Sequence, residues 1–251
     1  MGLEVFPVTP NVWCLRRRSY LTCSYVVRAA GGIVLVDAGM DSTGGDVREA
    51  LTCAFGARPE DVRAILLTHW HNDHAAGARA VQERSSAKVY YHAGDRPELT
   101  RATASTGARG WLARRVPELG PLVLLKGLLG EATARAVAAD RSITDGERIE
   151  DDFEVIETSG HTRGHVSFYY APERTLFAGD ALAVIDGRVR FMSRPVTLDL
   201  SAARQSMMKC LERPIDHLCP GHRMPLSAEV PARCGEMIER LKTNASWPLF
   251  G

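Results

Sequence analysis

The chain has 251 residues, of which 45% are hydrophobic and 24% charged, an ordinary globular composition with length enough for a full core. Its formal net charge of +1 excludes bulk attraction to nucleic acid or to an anionic membrane as the basis of its function. Of the 31 basic residues 27 are arginine, which coding bias explains. The sharper alternative is that Arg96, Arg101, Arg109, Arg114 or Arg115 meets an anionic substrate group.

The opening residues MGLEVFPVTP lack the basic and long apolar regions of a signal peptide. No apolar run reaches the roughly 18 residues that would span a bilayer. Six cysteines without a CxxC pair read as reduced, mostly buried thiols. A cytoplasmic location is the expectation from these features.

In chain order, Val12–Leu15 and Ser24–Arg28 read as short strands. A turn over Ala29–Gly32 leads to a buried strand, Ile33–Asp37. Asp46–Phe55 has helical spacing and stops at Gly56. Arg63–Thr68 is a buried strand that runs into THWHNDH, Ala75–Arg84 reads as a helix, and Lys88–His92 as a strand. Residues 95–140 are rich in Ala, Arg, Leu and Gly and read as a helical insertion over the site, within one domain spanning 1–251. Their apolar stretch 119–130 reads as core packing or as a lid or acyl-chain wall. Phe153–Thr158 is a strand ending in SGHTRGH. Ser167–Tyr170 and Thr175–Ala178 form a hairpin that ends in GD, and Leu200–Leu211 is helical. His217–Cys219 ends in PGH, and Ala228–Lys242 is the last helix. Strands followed by helix, twice over, predict two sheets packed face to face with helices outside.

The chemistry concentrates in four strand-end motifs. His69 and His71 are two apart, so an extended segment points them to one side. Asp73 and His74 follow where the chain turns into a helix and can aim at a neighbouring point. His161 in SGHT, Asp180 in AGDA and His222 in PGHR each sit beside a glycine that lets the backbone bend sharply. Imidazole nitrogen and carboxylate oxygen are both zinc ligands. Seven such residues are too many for one tetrahedral ion, and two ions sharing a bridging carboxylate are the natural count. Asp37 and His165 read as supports that orient ligands, or as plain structural residues. His92 and His217 read as structural.

THWHNDH, SGHT, AGD and PGH, in that order and preceded by LVDAG at Leu35–Gly39, resemble the signature of the metallo-β-lactamase superfamily. The resemblance spans roughly residues 12–223. It implies an α/β (α+β) four-layer αββα sandwich with two Zn²⁺ at one edge, although iron or manganese would suit the same donors. It also implies one metal on His69, His71 and His161 and the other on Asp73, His74 and His222, with Asp180 bridging and Asp73 and Asp180 acting in catalysis. Several departures narrow the subgroup. Zinc β-lactamases of the commonest class carry Cys at the position of Asp180, and another class carries Ser. The Asp here is similar to that of glyoxalase II, acyl-homoserine lactonases and RNase Z-type enzymes. The Cys-Gly-Arg of glyoxalase II is missing from ALAVIDGR, and Ala183 stands where well-known lactonases have Tyr. No tRNA-gripping arm is evident.

The implied activity is hydrolysis of a carbonyl ester, thioester or lactone by a metal-bound hydroxide, on a small acyl or anionic substrate. β-Lactam or phosphodiester cleavage and polyketide thioesterase or cyclase chemistry are alternatives on the same fold. Another class is iron redox chemistry of the persulfide dioxygenase or diiron reductase kind. The diiron reductases usually carry Glu in place of His71 and an added flavodoxin domain, and both are absent here. A non-catalytic scaffold would have lost ligands, and all seven residues are present.

Overall fold

The computed structural model describes residues 3–18, 20–101, 136–150, 152–243 and 245–248. A seven-stranded sheet runs in the order β1 (Leu3–Pro7), β2 (Val12–Arg17), β3 (Cys23–Ala29), β4 (Gly32–Val36), β5 (Val62–Leu66), β6 (Lys88–His92) and β7 (Arg141–Ile143). A five-stranded sheet holds β8 (Arg148–Ile149), β9 (Phe153–Glu157), β10 (Val166–Tyr170), β11 (Thr175–Gly179) and β14 (His217–Pro220), in the order β14-β11-β10-β9-β8. Strands β12 (Ala183–Ile185) and β13 (Arg188–Arg190) form a separate hairpin.

The period-two alternation along the strands builds three cores. Val12, Tyr25, Val27, Val34, Val36, Ala64 and Leu66 face inward from the first sheet. They meet Phe153, Val155, Phe168, Tyr170 and Phe177 from the second, so the sheets stack face to face. Val26, Leu35, Ile65 and Val89 point the other way, onto helices α1 (Gly45–Phe55) and α3 (Ala78–Gln82). On the far side Ile156, Tyr169, Leu176 and Leu218 pack under α5 (Leu200–Leu211) and α6 (Val230–Lys242). The result is the expected αββα sandwich. Among the described residues no helix is long and apolar enough to cross a membrane. All six cysteines are free, and only Cys53 is exposed.

One expected helix is broken. Ala75–Arg84 reads as continuous in sequence, but the structure has α2 (Asn72–Ala75) and then α3, separated at Gly77. The Gly77 N–H donates to the Gly39 carbonyl at 3.1 Å, outside the helix, because the first sheet's β4 loop passes against it. The short strands β1, β7, β8, β12 and β13, and the single turn α4 (Arg96–Leu99), carry too little pattern to be read from sequence. The apolar stretch 119–130, Arg109, Arg114 and Arg115 lie outside the described residues.

Strand direction positions the site. β4, β5 and β6 are mutually parallel, β11 is parallel to β14, and β9 is antiparallel to β10, which is antiparallel to β11. All five strands that precede Asp37, THWHNDH, SGHT, AGD and PGH therefore release their chain at one edge. The β2–β3 connection joins them there: the Cys23 N–H donates to the Gly221 carbonyl at 2.7 Å, and the Arg223 N–H to Leu21 at 2.7 Å. These two bonds tie the sheets together beside the last motif.

Phe177 fixes the stack through Tyr25 of the opposite sheet, with ring centroids 5.2 Å apart. Phe177→Ala is expected to cost about 3–5 kcal/mol of metal-free stability in denaturant unfolding. A cost under about 1 kcal/mol would contradict this account of the inter-sheet core.

Candidate metal centre

His69 and His71 leave β5 on an extended segment, and Asp73 and His74 occupy the first turn of α2. His161 comes from the β9–β10 loop, Asp180 follows the end of β11, and His222 follows β14. The structure brings all seven together in overlapping clusters with metal-ligand spacing. These are His69–His71–His161, His69–His74–Asp180 and Asp73–His74–His222.

In the first cluster His71 Nδ1 lies 3.1 Å from His69 Nε2 and 2.9 Å from His161 Nε2. In the Asp73–His74–His222 cluster, called the second below, His222 Nε2 lies 3.4 Å from His74 Nε2 and 3.4 Å from Asp73 Oδ2. Asp180 stands between them. Its Oδ2 is 3.4 Å from His161 Nε2 and 3.4 Å from His222 Nε2, and its Oδ1 is 3.6 Å from His74 Nε2.

Supporting bonds fix which nitrogen of His69, His74 and His222 faces inward. Asp37 sits at the end of β4 with φ 59, the left-handed region that Asp tolerates better than most residues. It is 3% exposed. Its Oδ2 accepts from His74 Nδ1 at 2.9 Å, and both carboxylate oxygens lie within 3.1 Å of Thr68 Oγ1. Thr68 donates to Asp37 and so accepts from His69 Nδ1 at 2.9 Å. One carboxylate thus presents the Nε2 lone pairs of a histidine in each cluster. His222 Nδ1 donates to the Tyr20 carbonyl at 3.2 Å, with the same effect.

His165 lies outside the three clusters. Its Nε2 accepts from the Asp180 N–H at 2.9 Å, which leaves Nδ1 to donate to Thr158 Oγ1 at 2.8 Å. Thr158 donates on to Ser167 Oγ, and Ser167 to the Ala178 carbonyl. This one-way chain holds the backbone of Asp180. Two glycines make the approach feasible. A Cβ on Gly221 would overlap Asp180 Oδ1, and one on Gly179 (φ +50) would lie 2.7 Å from His165 Nε2. His92 donates from Nε2 to Glu157, and His217 meets Ser227, both away from the centre.

Sequence reasoning missed Thr68, which sets the tautomer of His69, and Thr158, which accepts from His165. Their adjacency to the motifs was the available signal. The Tyr20 carbonyl left no trace in the side-chain pattern.

Charge divides the centre into two halves. Burial pushes His69 and His71 below the ordinary histidine range, and it brings His161 down to about 4, so the first cluster is neutral. Burial would also lower His74, but Asp73, Asp180 and Asp37 outweigh it and raise that group to about 9. His222 is likewise raised against its burial by Asp180 and Asp73. Those histidines in turn hold Asp73 and Asp180 below the usual carboxylate range, against the desolvation that would raise them.

The residues fit a metal. Asp180 Oδ1 is buried without a hydrogen-bond donor, an expensive state for an anion that a cation would relieve. A tetrahedral zinc with bonds near 2.0–2.1 Å has ligand–ligand edges of about 3.3 Å, close to the separations in both clusters. The donors are nitrogen and oxygen only, which suits zinc, iron or manganese.

The buried His/Asp clusters at the edge of an αββα sandwich could hold metal, and the comparisons place the chain within a family of metallo-hydrolases. The profile of the metallo-beta-lactamase superfamily matches residues 21–222, and the chain belongs to that superfamily. It is 27% identical over 208 residues to a probable metallo-hydrolase of Bacillus subtilis, covering 78% of this chain and 77% of that protein. It is 30% identical over 183 residues to a hydroxyacylglutathione hydrolase of Cereibacter sphaeroides, covering 70% of this chain and 55% of that one. The chain thus spans about half the length of that relative. Its fold is similar to a subclass B3 metallo-beta-lactamase from a soil metagenome library. That match has a TM-score of 0.65 and 22% identity, and it covers 96% of this chain and 93% of the other.

Metal uptake has to displace the proton that His74 holds up to about pH 9. Because His222 is raised as well, apparent metal affinity is expected to rise with pH from 6 through about 9, with proton release on binding. Chelator competition at fixed ionic strength, corrected for the chelator's own protonation, measures this. A pH-independent affinity would show that the protonated second cluster is wrong.

Proposed function

We propose that this centre binds two zinc ions and hydrolyses a carbonyl ester, thioester or lactone of a small molecule. His69, His71 and His161 would hold one ion, Asp73, His74 and His222 the other, and Asp180 would bridge. The single observation that carries the reading is the Asp180 carboxylate, 3.4 Å from a histidine of each cluster. The relatives named as hydroxyacylglutathione hydrolases support an acyl substrate over a β-lactam.

When bound, such a metal pair supplies Lewis acidity and brings the pKa of water toward neutrality. The chain's own residues do the rest. Asp180, 5% exposed and backed by His165, is rigid and suited to fixing the separation of the two halves. Asp73 keeps 25% of its side chain open at the mouth. It is suited to accepting a hydrogen bond from the attacking water through its carboxylate and orienting it. As a ligand of the second ion it would stay ionised and would not retain the proton, which would pass to the leaving oxygen or sulfur.

The test is a screen of thioesters, lactones, phosphodiesters and a chromogenic cephalosporin with zinc-loaded protein. Thioester or lactone turnover is expected, lost on chelation and restored by zinc. Asp180→Ala and His69→Ala are expected to lower kcat/KM on the order of 10²–10³-fold or more, with circular dichroism unchanged. Full activity in either variant or after chelation would sink the reading. Oxygen consumption with bound iron would replace it with redox chemistry.

A further inference from the structure

Asp95 follows β6, whose end lies at the same edge as the metal centre, yet it belongs to none of the four motifs. It is 2% exposed and has no basic side chain among its hydrogen-bond partners. Its Oδ2 accepts from the Trp70 N–H at 3.2 Å and from Thr162 Oγ1 at 2.8 Å. Its Oδ1 accepts from the Gly164 N–H at 2.7 Å.

The three donors sit beside the first cluster. Trp70 lies between His69 and His71, Thr162 directly follows His161, and Gly164 directly precedes His165. The carboxylate therefore joins the THWHNDH segment of the first sheet to the β9–β10 loop of the second. The join is tight: a Cβ on Gly164 would lie 2.5 Å from the Asp95 nitrogen, and one on Gly94 would lie 3.0 Å from Gly164. A carboxylate buried with neutral donors alone is costly unless both oxygens are hydrogen-bonded. Three bonds from three loop positions are what satisfy it here.

Resting on the two-metal reading above, we propose that Asp95 is a positioning residue that clamps the two loops carrying His71 and His161, and so sets the affinity of the first metal site. His69 is fixed separately by Thr68, and His74 and His222 by Asp37 and the Tyr20 carbonyl. No hydrogen bond in the described structure does the same for His71, and His161 Nδ1 is buried without a partner. Those two rings depend on their backbone for orientation, and Asp95 holds that backbone. Loss of the clamp acts on the first site and spares the second.

The test uses the full chain with Asp95→Asn, Thr162→Val and Thr162→Ser. An Asn amide cannot accept at both ends, so Asp95→Asn breaks at least one of the three bonds, and Thr162→Val removes another. Chelator competition with zinc is expected to show the tighter or weaker constant belonging to the first site reduced about 10–100-fold in both variants. The other constant is expected to hold within about twofold. Cobalt substitution should assign the altered site, because the His₃ half loses its visible absorption first. Thr162→Ser should restore wild-type affinity. In metal-free wild type the Trp70 and Gly164 amides should exchange slowly, and in Asp95→Asn they should exchange at least tenfold faster. If Asp95→Asn fails to fold, Thr162→Val against Thr162→Ser decides. Wild-type affinities at both sites in Thr162→Val would overturn the clamp while leaving the two-metal reading intact. Wild-type protein that takes up no metal would overturn both.

Discussion

Five imidazoles and two carboxylates packed into one largely buried volume is the constraint on which the site depends. Each polar group there has left water, and backbone or side-chain bonds satisfy only the outward atoms. The inward nitrogens of His69, His71 and His161 meet each other at hydrogen-bond distance, and Asp180 Oδ1 meets no donor. Asp73 and Asp180 favour protons on His74 and His222, and a cation would take the place of those protons and use the lone pairs. Withdrawing so many polar groups from water at one point is a cost that falls on the rest of the fold.

That cost is met by the sandwich. The inter-sheet core of Tyr25, Phe153, Phe168 and Phe177 and the two outer cores make the strands rigid. Their common direction then delivers the motifs to one edge. Polar connections between the sheets at that edge include Cys23 to Gly221, Arg223 to Leu21, Val166 to Thr68, His222 to Tyr20, and the Asp95 carboxylate to the Thr162–Gly164 segment. Small changes in loop bonding there reach the ligands directly.

Much of this was legible in the residue order. β3 shows its β-formers and β4 and β5 their short apolar runs plainly, and the seven ligand candidates lie in motifs whose glycines and spacing announce a bend at a strand end. Other features were hidden for a physical reason: their partner is distant in the chain. The break between α2 and α3 comes from the Gly39 carbonyl, the tautomer of His222 from the Tyr20 carbonyl, and the role of Asp95 from donors 25 to 69 residues away. Strands of two or three residues, such as β8 and β13, are defined by the neighbour they pair with and not by their own composition.

The most direct test of the two-ion centre is an anomalous-difference map at the zinc edge from crystals of the metal-loaded protein. The account predicts two peaks about 3.5–4 Å apart with the Asp180 carboxylate between them. A single peak, or a pair that Asp180 does not touch, would contradict it.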